Sequence, residues 1–162
     1  AFASGVENAV WPARLQPLTR GLFSAPIRSL GGEVWVDGGH NADAAAALSR
    51  ALGDMKARRG GENTVILGLR ERKDAAAFVG AIARCADRII AVPLGEEHIT
   101  PHQIASSAQK LDKPASTAVS LAAAMQSAAQ SPAPRVLICG SFLLAAEALA
   151  AESSAPSSTG SG

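Results

Sequence analysis

The stretch EVWVDGGHN, residues 33–41, decides how this chain folds. The apolar run at 34–36 is typical of a short buried strand, and it ends in an acid, two glycines, a histidine and an asparagine. An alanine-rich segment follows at 42–52, in which Leu48 and Leu52 stand one helical turn apart. A strand, a glycine loop and a helix in this order predict one βα unit of a parallel sheet.

The same unit recurs along the rest of the chain. Strand-like runs followed by helix-like runs occur at 64–69 and 75–85, 88–92 and 101–110, 115–119 and 121–130, and 135–139 and 142–151. Thr100 before Pro101, and Ser120 before Leu121, are suited to cap two of these helices. Consecutive units of this kind predict an α/β fold, namely a Rossmann-like three-layer sandwich around a mostly parallel six-stranded sheet.

The segment before residue 33 departs from this rhythm. Apolar runs at 15–18 and 27–30 are separated by Gly21 and Pro26, and no helix is predicted between them. Both runs are typical of hairpin strands leading into the strand at 34–36. We therefore expect one antiparallel strand at the edge of the sheet.

Length and composition fit a single domain. The chain has 162 residues, of which 48% are hydrophobic, and this is enough to bury a sizeable core. We expect residues 1–10 to be the remnant of an interdomain linker and residues 11–152 to form the domain. Residues 153–162 are small and polar apart from one proline, which predicts a flexible tail.

The charge balance and the cysteines argue against several functional classes. Fifteen basic and fourteen acidic residues give a formal charge of +1, so no basic field favours nucleic acid or an anionic membrane surface. Cys85 and Cys139 lie in apolar contexts and form no C-x-x-C pair, which indicates reduced core thiols. Reduced thiols favour the cytoplasm, and because no apolar run approaches the length of a membrane span, we expect a soluble protein. We also expect a monomer.

The residues of DGGHN lie where open parallel sheets bind ligands, beyond the carboxyl end of a strand. Gly38 and Gly39 allow backbone angles that other residues avoid and let a ligand approach closely. Asn41 can cap the following helix, whose free N–H groups favour an anion. Asp37 would accept hydrogen bonds from hydroxyls or bind a cation, and His40 would donate to an anionic group.

A purely structural interpretation of the same residues stays open. Asp-Gly-Gly is a common turn, Asn41 would then serve only as a cap, and His40 would be a solvated loop residue. The chain contains no phosphate-binding G-x-x-x-x-G-K-[ST] loop, and DGGHN is not a G-x-G-x-x-G motif either. The chemistry of the residues supports both interpretations about equally.

Other patterns carry weaker signals. His98 and His102 are four residues apart, but Pro101 lies between them and no third ligand is adjacent, so loop histidines are favoured over a metal pair. The charged run RERKD at 70–74 is typical of a solvated loop and helix start, with substrate contact as the alternative. Ser141 lacks the glycines two residues before and after it that the G-x-S-x-G nucleophile elbow requires, which disfavours a serine hydrolase.

Several motifs, taken in order, resemble those of one family. They are WPARLQ at 11–16, VWVDGGHN at 34–41, Gly68 with Lys73-Asp74, and LICGS at 137–141. Together they are similar to motifs of the bifunctional dihydrofolate synthase/folylpolyglutamate synthase family, in its carboxy-terminal domain, which is also the Mur ligase carboxy-terminal domain. The resemblance extends from Trp11 to about Leu149.

The resemblance implies part of an ATP-dependent ligase. In this family ATP phosphorylates a carboxylate of dihydropteroate or a folate, and the amino group of L-glutamate then displaces the phosphate. The P-loop and the Mg²⁺ ligands are expected in an amino-terminal ATPase domain of the same polypeptide. The present chain is therefore expected to supply no metal ligand and to be inactive alone.

The resemblance also implies roles for individual residues. Arg14 matches an arginine that reaches the ATP phosphates, and Asp37 matches an acid that holds the nucleotide through its ribose hydroxyls. Asn41 belongs to the same ATP site. His40 would lie near the γ-phosphate and the incoming glutamate, so His40 and Arg14 are the expected catalytic residues.

Further positions at strand ends match the family as well. Lys73, Asp74 and Ser141 are expected on the substrate-binding rim, and Gly39 stands where the family usually has alanine. Two alternatives stay open, a Mur-type ligase acting on a peptidoglycan precursor and a stand-alone nucleotide-sensing module. The motifs DGGHN and WPARLQ are closer to the folate pattern than to the first alternative.

Overall fold

The computed structural model describes residues 15–70 and 75–154, which form strands and helices in alternation. The strands are β1 (Gln16–Leu18), β2 (Glu33–Val36), β3 (Asn63–Leu67), β4 (Arg88–Ala91), β5 (Ala115–Thr117) and β6 (Arg135–Cys139). The helices are α1 (Ser24–Ser29), α2 (Ala42–Arg59), α3 (Ala75–Ala83), α4 (Pro101–Gln109), α5 (Leu121–Ala128) and α6 (Phe142–Glu152). The predictions for Arg14, Lys73 and Asp74, for the linker at 1–10 and for most of the tail fall outside the described residues.

These strands form one six-stranded sheet in the order β1-β2-β6-β3-β4-β5. Strand β1 pairs antiparallel with β2, with Gln16 opposite Val36, and every other pairing is parallel. The predicted α/β fold, with a mostly parallel six-stranded sheet and one antiparallel edge strand, is confirmed. Strands β3 and β6 are buried along their whole length, as expected for parallel strands with helices on both faces.

Alternate side chains of the sheet serve two separate hydrophobic layers. Val65 and Leu137 pack with residues of α2, α3 and α4, among which Phe78 is fully buried. Ile66 and Ile138 pack with residues of α1, α5 and α6. The sheet is therefore the middle layer of a three-layer sandwich, and the ends of its strands carry the loops.

Two helices begin at the capping residues predicted from the sequence. Thr100 Oγ1 accepts a hydrogen bond from the Gln103 N–H, and the Gln103 side chain accepts one from the Thr100 N–H, so a capping box starts α4. Ser120 caps α5. Helix α2 is longer than predicted, since it continues past residue 52 to Arg59. It is followed by its cap residue Gly60, where φ is 67°. In the described ranges no helix is both long and apolar enough to cross a membrane.

The prediction of a hairpin strand at 27–30 is wrong. These residues belong mostly to helix α1, which carries the buried Ile27 into the core. Pro26 is compatible with the helix because it lies in the first turn, where a missing N–H removes no helical hydrogen bond. The chain then reverses at Gly31, which has φ 85°, so a short helix connects the antiparallel strands β1 and β2.

Candidate functional site

A cavity of about 480 Å³ opens at the carboxyl ends of the strands. It lies where the loops after β2, β3, β4 and β6 meet, which is the edge at which open parallel sheets bind ligands. Phe142 and Leu143 give it a partly exposed apolar wall. The lining residues are His40, Asn41, Leu69, Arg70, Ala75, Glu96, Gly140, Ser141, Phe142, Leu143 and Ala146.

Asp37, the first residue after β2, uses both carboxylate oxygens within the protein. Its Oδ1 accepts a hydrogen bond from the Gly39 N–H at 2.7 Å, and its Oδ2 accepts one from the Leu15 N–H at 2.8 Å. The residue is 7% exposed, and it does not itself line the cavity. The expected acceptor is therefore present, and in this structure its donors are two backbone N–H groups.

Gly39 is required by crowding rather than by an unusual backbone angle. A Cβ at this position would lie 2.5 Å from the Ala44 Cβ and 2.9 Å from Asp37 Oδ1, and the φ of Gly39 is outside the left-handed region. The expectation that Gly39 supplies a special backbone angle is wrong. What glycine provides here is close approach, because a side chain would separate the N–H of Gly39 from the carboxylate.

Asn41 and His40 lie at the start of helix α2. The Asn41 side chain accepts a hydrogen bond from the Ala44 N–H at 2.9 Å, so the predicted cap is confirmed. His40 is exposed and contributes to the cavity wall. A nucleotide contact for either residue stays a prediction.

Two glycines bring the ends of β3 and β6 together under the cavity. Gly140 has φ 106°, and a Cβ there would lie 2.4 Å from the Gly68 carbonyl oxygen. A Cβ on Gly68 would lie 2.8 Å from Leu94 Cδ2. Gly140 thus combines a left-handed backbone with a contact that excludes any side chain.

Ser141 serves as the cap of helix α6. Its Oγ accepts hydrogen bonds from the N–H groups of Leu143 at 3.0 Å and Leu144 at 3.4 Å. The residue is 4% exposed although it borders the cavity. The expected substrate contact of Ser141 stays a prediction, while its position at the cavity is observed.

An ion pair at the cavity joins two neighbouring loops. Arg70 Nε lies 3.4 Å from Glu96 Oε2, and both side chains are partly exposed. Exposed pairs of this kind contribute little to stability, so both side chains are available to other partners. Sequence reasoning missed Glu96, whose one available signal was its position a few residues after β4.

The two cysteines are buried and form no disulfide, as predicted. Burial, and then the negative charge of Asp37, raise the pKa of the Cys139 thiol well above its ordinary value. Burial likewise raises the pKa of Cys85. Both side chains are therefore protonated, unreactive members of the core at neutral pH.

The histidines outside DGGHN lie in the loop after β4 and at the start of helix α4. His98 makes a hydrogen bond through Nδ1 with the Glu96 carbonyl oxygen at 2.7 Å, and His102 is exposed on α4. Among residues 15–70 and 75–154, no group of three or more histidine, cysteine or acidic side chains is placed to hold a metal ion.

Several solved structures that this chain resembles are folylpolyglutamate synthases. The chain matches FolC of Escherichia coli in complex with ADP and without folate substrate at 26% identity and a TM-score of 0.67, covering 86% of this chain and 31% of that one. A bifunctional folylpolyglutamate synthase/dihydrofolate synthase of Yersinia pestis complexed with AMPPNP and Mn ion matches at 23% identity and a TM-score of 0.69, with coverages of 86% and 31%. The Mycobacterium tuberculosis folylpolyglutamate synthase complexed with ADP matches at 22% identity and a TM-score of 0.68, with coverages of 89% and 33%.

These matches bear out the resemblance predicted from the sequence, and the chain spans about a third of the length of those proteins. No curated protein matches this chain. Residues 26–142, well over half of the chain, match the family model for the Mur ligase, glutamate ligase domain. This chain therefore belongs to the Mur ligase family, within its glutamate ligase domain.

Proposed function

We propose that this chain is the carboxy-terminal part of an ATP-dependent ligase that adds L-glutamate to dihydropteroate or a reduced folate through an acyl phosphate. One observation carries the proposal. His40, Asn41 and Ser141 come from two distant parts of the sequence, and all three line one cavity at the ligand-binding edge of the sheet. The similarity to folate ligases of known structure supports the choice of reaction.

The nucleotide would lie at the amino terminus of helix α2. The partial positive charge of a helix amino terminus favours phosphate oxygens, and the exposed imidazole of His40 can donate a hydrogen bond to them. Arg14 is proposed to contact the phosphates, since a guanidinium matches charge that moves during phosphoryl transfer. Asp37 keeps further lone pairs beside its two backbone bonds, and we retain it with Asn41 in the nucleotide site.

The acceptor amino acid would lie on the other side of the cavity. Lys73, Asp74 and Ser141 are proposed to form the substrate rim, and Arg70, which pairs with Glu96 at partly exposed side chains, adds a cation there. The apolar wall at Phe142 fits the carbon stem of glutamate or a folate. His40 lines the same cavity and is proposed to act on the incoming amino group and the γ-phosphate.

The rest of the reaction belongs to a part of the enzyme that this chain does not contain. The Mg²⁺ ligands and the P-loop are proposed to lie in an amino-terminal ATPase domain of the same polypeptide. Without that domain the chain would not turn over. We further propose a cytoplasmic, monomeric enzyme.

The test is glutamate-dependent ADP release by the full natural polypeptide. Dihydropteroate, a reduced folate and a nucleotide-linked muramyl substrate are compared, with His40→Ala as the active-site variant and His102→Ala, an exposed histidine of α4, as the matched control. We expect release with a pterin substrate, a loss of about 10²-fold or more in kcat for His40→Ala, and unchanged rates for His102→Ala. Release only with the muramyl substrate would identify a peptidoglycan ligase, and no release with any substrate would favour the nucleotide-sensing module.

A further inference from the structure

The carboxylate of Asp37 joins two segments of the chain. Its backbone is fixed first, because the Asp37 N–H donates to the Ile138 carbonyl oxygen at 3.0 Å and so extends the pairing of β2 with β6. From this fixed point Oδ1 holds Gly39, two residues ahead, and Oδ2 holds Leu15, which is 22 residues earlier. With 7% of its surface exposed, the carboxylate is shielded from water, which strengthens both charge-assisted bonds.

The bond to Gly39 fixes the backbone on one side of His40. On the other side, Asn41 caps helix α2 through the Ala44 N–H, and the Asn41 carbonyl oxygen accepts from the Ala45 N–H at 3.1 Å. His40 itself is exposed at the cavity. Its side chain therefore projects from a backbone segment that is held at both ends.

The bond to Leu15 holds a conformation that leucine avoids. Leu15 has φ 31°, outside the regions that residues with a side chain normally adopt, and such strain costs on the order of 1–3 kcal/mol. The residue also packs against the core layer of α2, α3 and α4. The Asp37 carboxylate and this packing together offset the strain.

We propose that Asp37 is a positioning residue that locks His40 and the chain at Leu15 into one arrangement at the cavity, in addition to any contact it makes with a nucleotide. The inference rests on the proposed function, because the consequence of placing His40 is catalytic. The isosteric change Asp37→Asn is the sharpest probe. An amide oxygen can accept from one N–H, but the amide nitrogen cannot accept from the other, so one of the two segments loses its anchor.

The positioning role of Asp37 is tested directly on the 162-residue chain by NMR of the Leu15 and Gly39 amides. We expect protection of these amide protons from hydrogen exchange to fall at one or both positions in Asp37→Asn, because one of the two hydrogen bonds loses its acceptor. Asp43→Asn removes an exposed carboxylate of the first turn of α2 and is the matched control, which leaves both amides unchanged. Unchanged protection of both amides in Asp37→Asn overturns the proposal.

The catalytic consequence is tested in the full natural polypeptide by a double-mutant cycle with His40→Ala. Asp37→Asn is expected to lower kcat on the order of 10–100-fold, whatever rise in KM for ATP accompanies the loss of a nucleotide contact, since misplacing a catalytic group lowers the rate. In the His40→Ala background the same change is expected to have little further effect. Multiplicative effects, or a rise in KM for ATP with unchanged kcat, overturn positioning through His40. If no substrate supports ADP release, the proposed function fails. The amide measurements still show whether the Asp37 carboxylate holds Leu15 and Gly39.

Discussion

The two ends of strands β2, β6 and β3 differ sharply in how they are finished. At the amino ends, the first residues Glu33, Arg135 and Asn63 stand side by side in register. Arg135, in the middle, donates to Glu33 Oε2 at 3.2 Å, to Asn63 Oδ1 at 2.8 Å and to the Gly60 carbonyl oxygen at 2.8 Å. This end is closed by a buried polar network.

At the carboxyl ends, the same three strands run into Asp37, Gly140 and Gly68. Two of these residues have no side chain, and the loops behind them leave the cavity of about 480 Å³ open. The polar groups that line this cavity include two helix caps, the exposed imidazole of His40 and a partly exposed ion pair. The closed end stabilises the sheet, and the open end is free to bind a ligand.

The largest effect is expected from breaking the closed end with Arg135→Met. The change leaves Asn63 Oδ1 and the Gly60 carbonyl oxygen without the Arg135 donor and removes one of the partners of Glu33. Breaking such a buried pair costs about 3–5 kcal/mol. Urea unfolding of the chain measures the loss. Arg50→Met, at an exposed position of α2, is the control and should stay within about 0.5 kcal/mol. If the two variants were equally stable, the closed end would be dispensable.

A somewhat smaller effect is expected from filling the open end with Gly140→Ala. The new Cβ would meet the Gly68 carbonyl oxygen in a left-handed backbone conformation, which should cost about 2–4 kcal/mol. Gly53→Ala, within helix α2, is the matched control, because a Cβ added at Gly53 would meet nothing within 4 Å beyond the backbone of its own helix. It should raise stability by about 0.5–1 kcal/mol. Thermal unfolding should therefore show changes in stability of opposite sign for the two variants. A Gly140→Ala variant as stable as the native chain would contradict the prediction.

The sequence predicted what depends on local pattern and missed what depends on distant contacts. The βα units and the caps Thr100 and Ser120 follow from periodicity and capping chemistry over a few residues. Helix α1 was missed because Ile27 packs into a layer formed by remote helices. The register of Glu33 with Arg135 was equally invisible, since 102 residues separate them.

The same division applies to the open end. His40, Asn41 and Ser141 were identifiable because each follows a predicted strand, where ligands of open sheets bind. The bond from the Leu15 N–H to Asp37 was missed, because no local pattern links residues 22 positions apart. Glu96 lines the cavity beside Arg70, and the pairing of these two residues depends on β3 and β4 being neighbours in the sheet.

A modest gain in stability is expected from removing a buried hydroxyl group near the closed end that lacks a hydrogen-bond partner. Thr64 Oγ1, in the second position of β3, is buried and has no hydrogen-bond partner among the described residues. Thr64→Val keeps the shape and removes the unsatisfied hydroxyl, so stability should rise by about 1 kcal/mol in urea unfolding. Thr117→Val, on the exposed edge strand β5, should change it by less than about 0.5 kcal/mol. A loss of stability in Thr64→Val would show that the hydroxyl is satisfied in solution.

The smallest effect is expected at the outer rim of the closed end, and it depends on pH. Burial opposes the charged form of Asp87, but the hydrogen bonds from Lys56 and the Asn63 N–H, together with the charges of Lys56 and Lys113, outweigh it and lower the pKa of this carboxyl. Because the folded-state pKa is depressed, the stabilising contribution is present above the ordinary value of 3.8 and is lost as the pH falls through the folded pKa.

Asp87→Asn should therefore reduce the loss of stability on acidification below about pH 4 and abolish the contribution at neutral pH. Urea unfolding of both proteins at a series of pH values measures the difference. The effect should also shrink with added salt, because the Lys56 side chain that approaches Asp87 is 44% exposed and its charge is screened. Asp54→Asn, at an exposed position of α2, is the control and should leave the pH dependence unchanged. Parallel stability curves for the native chain and Asp87→Asn would place Asp87 outside the network and leave Arg135 as the group that closes this end.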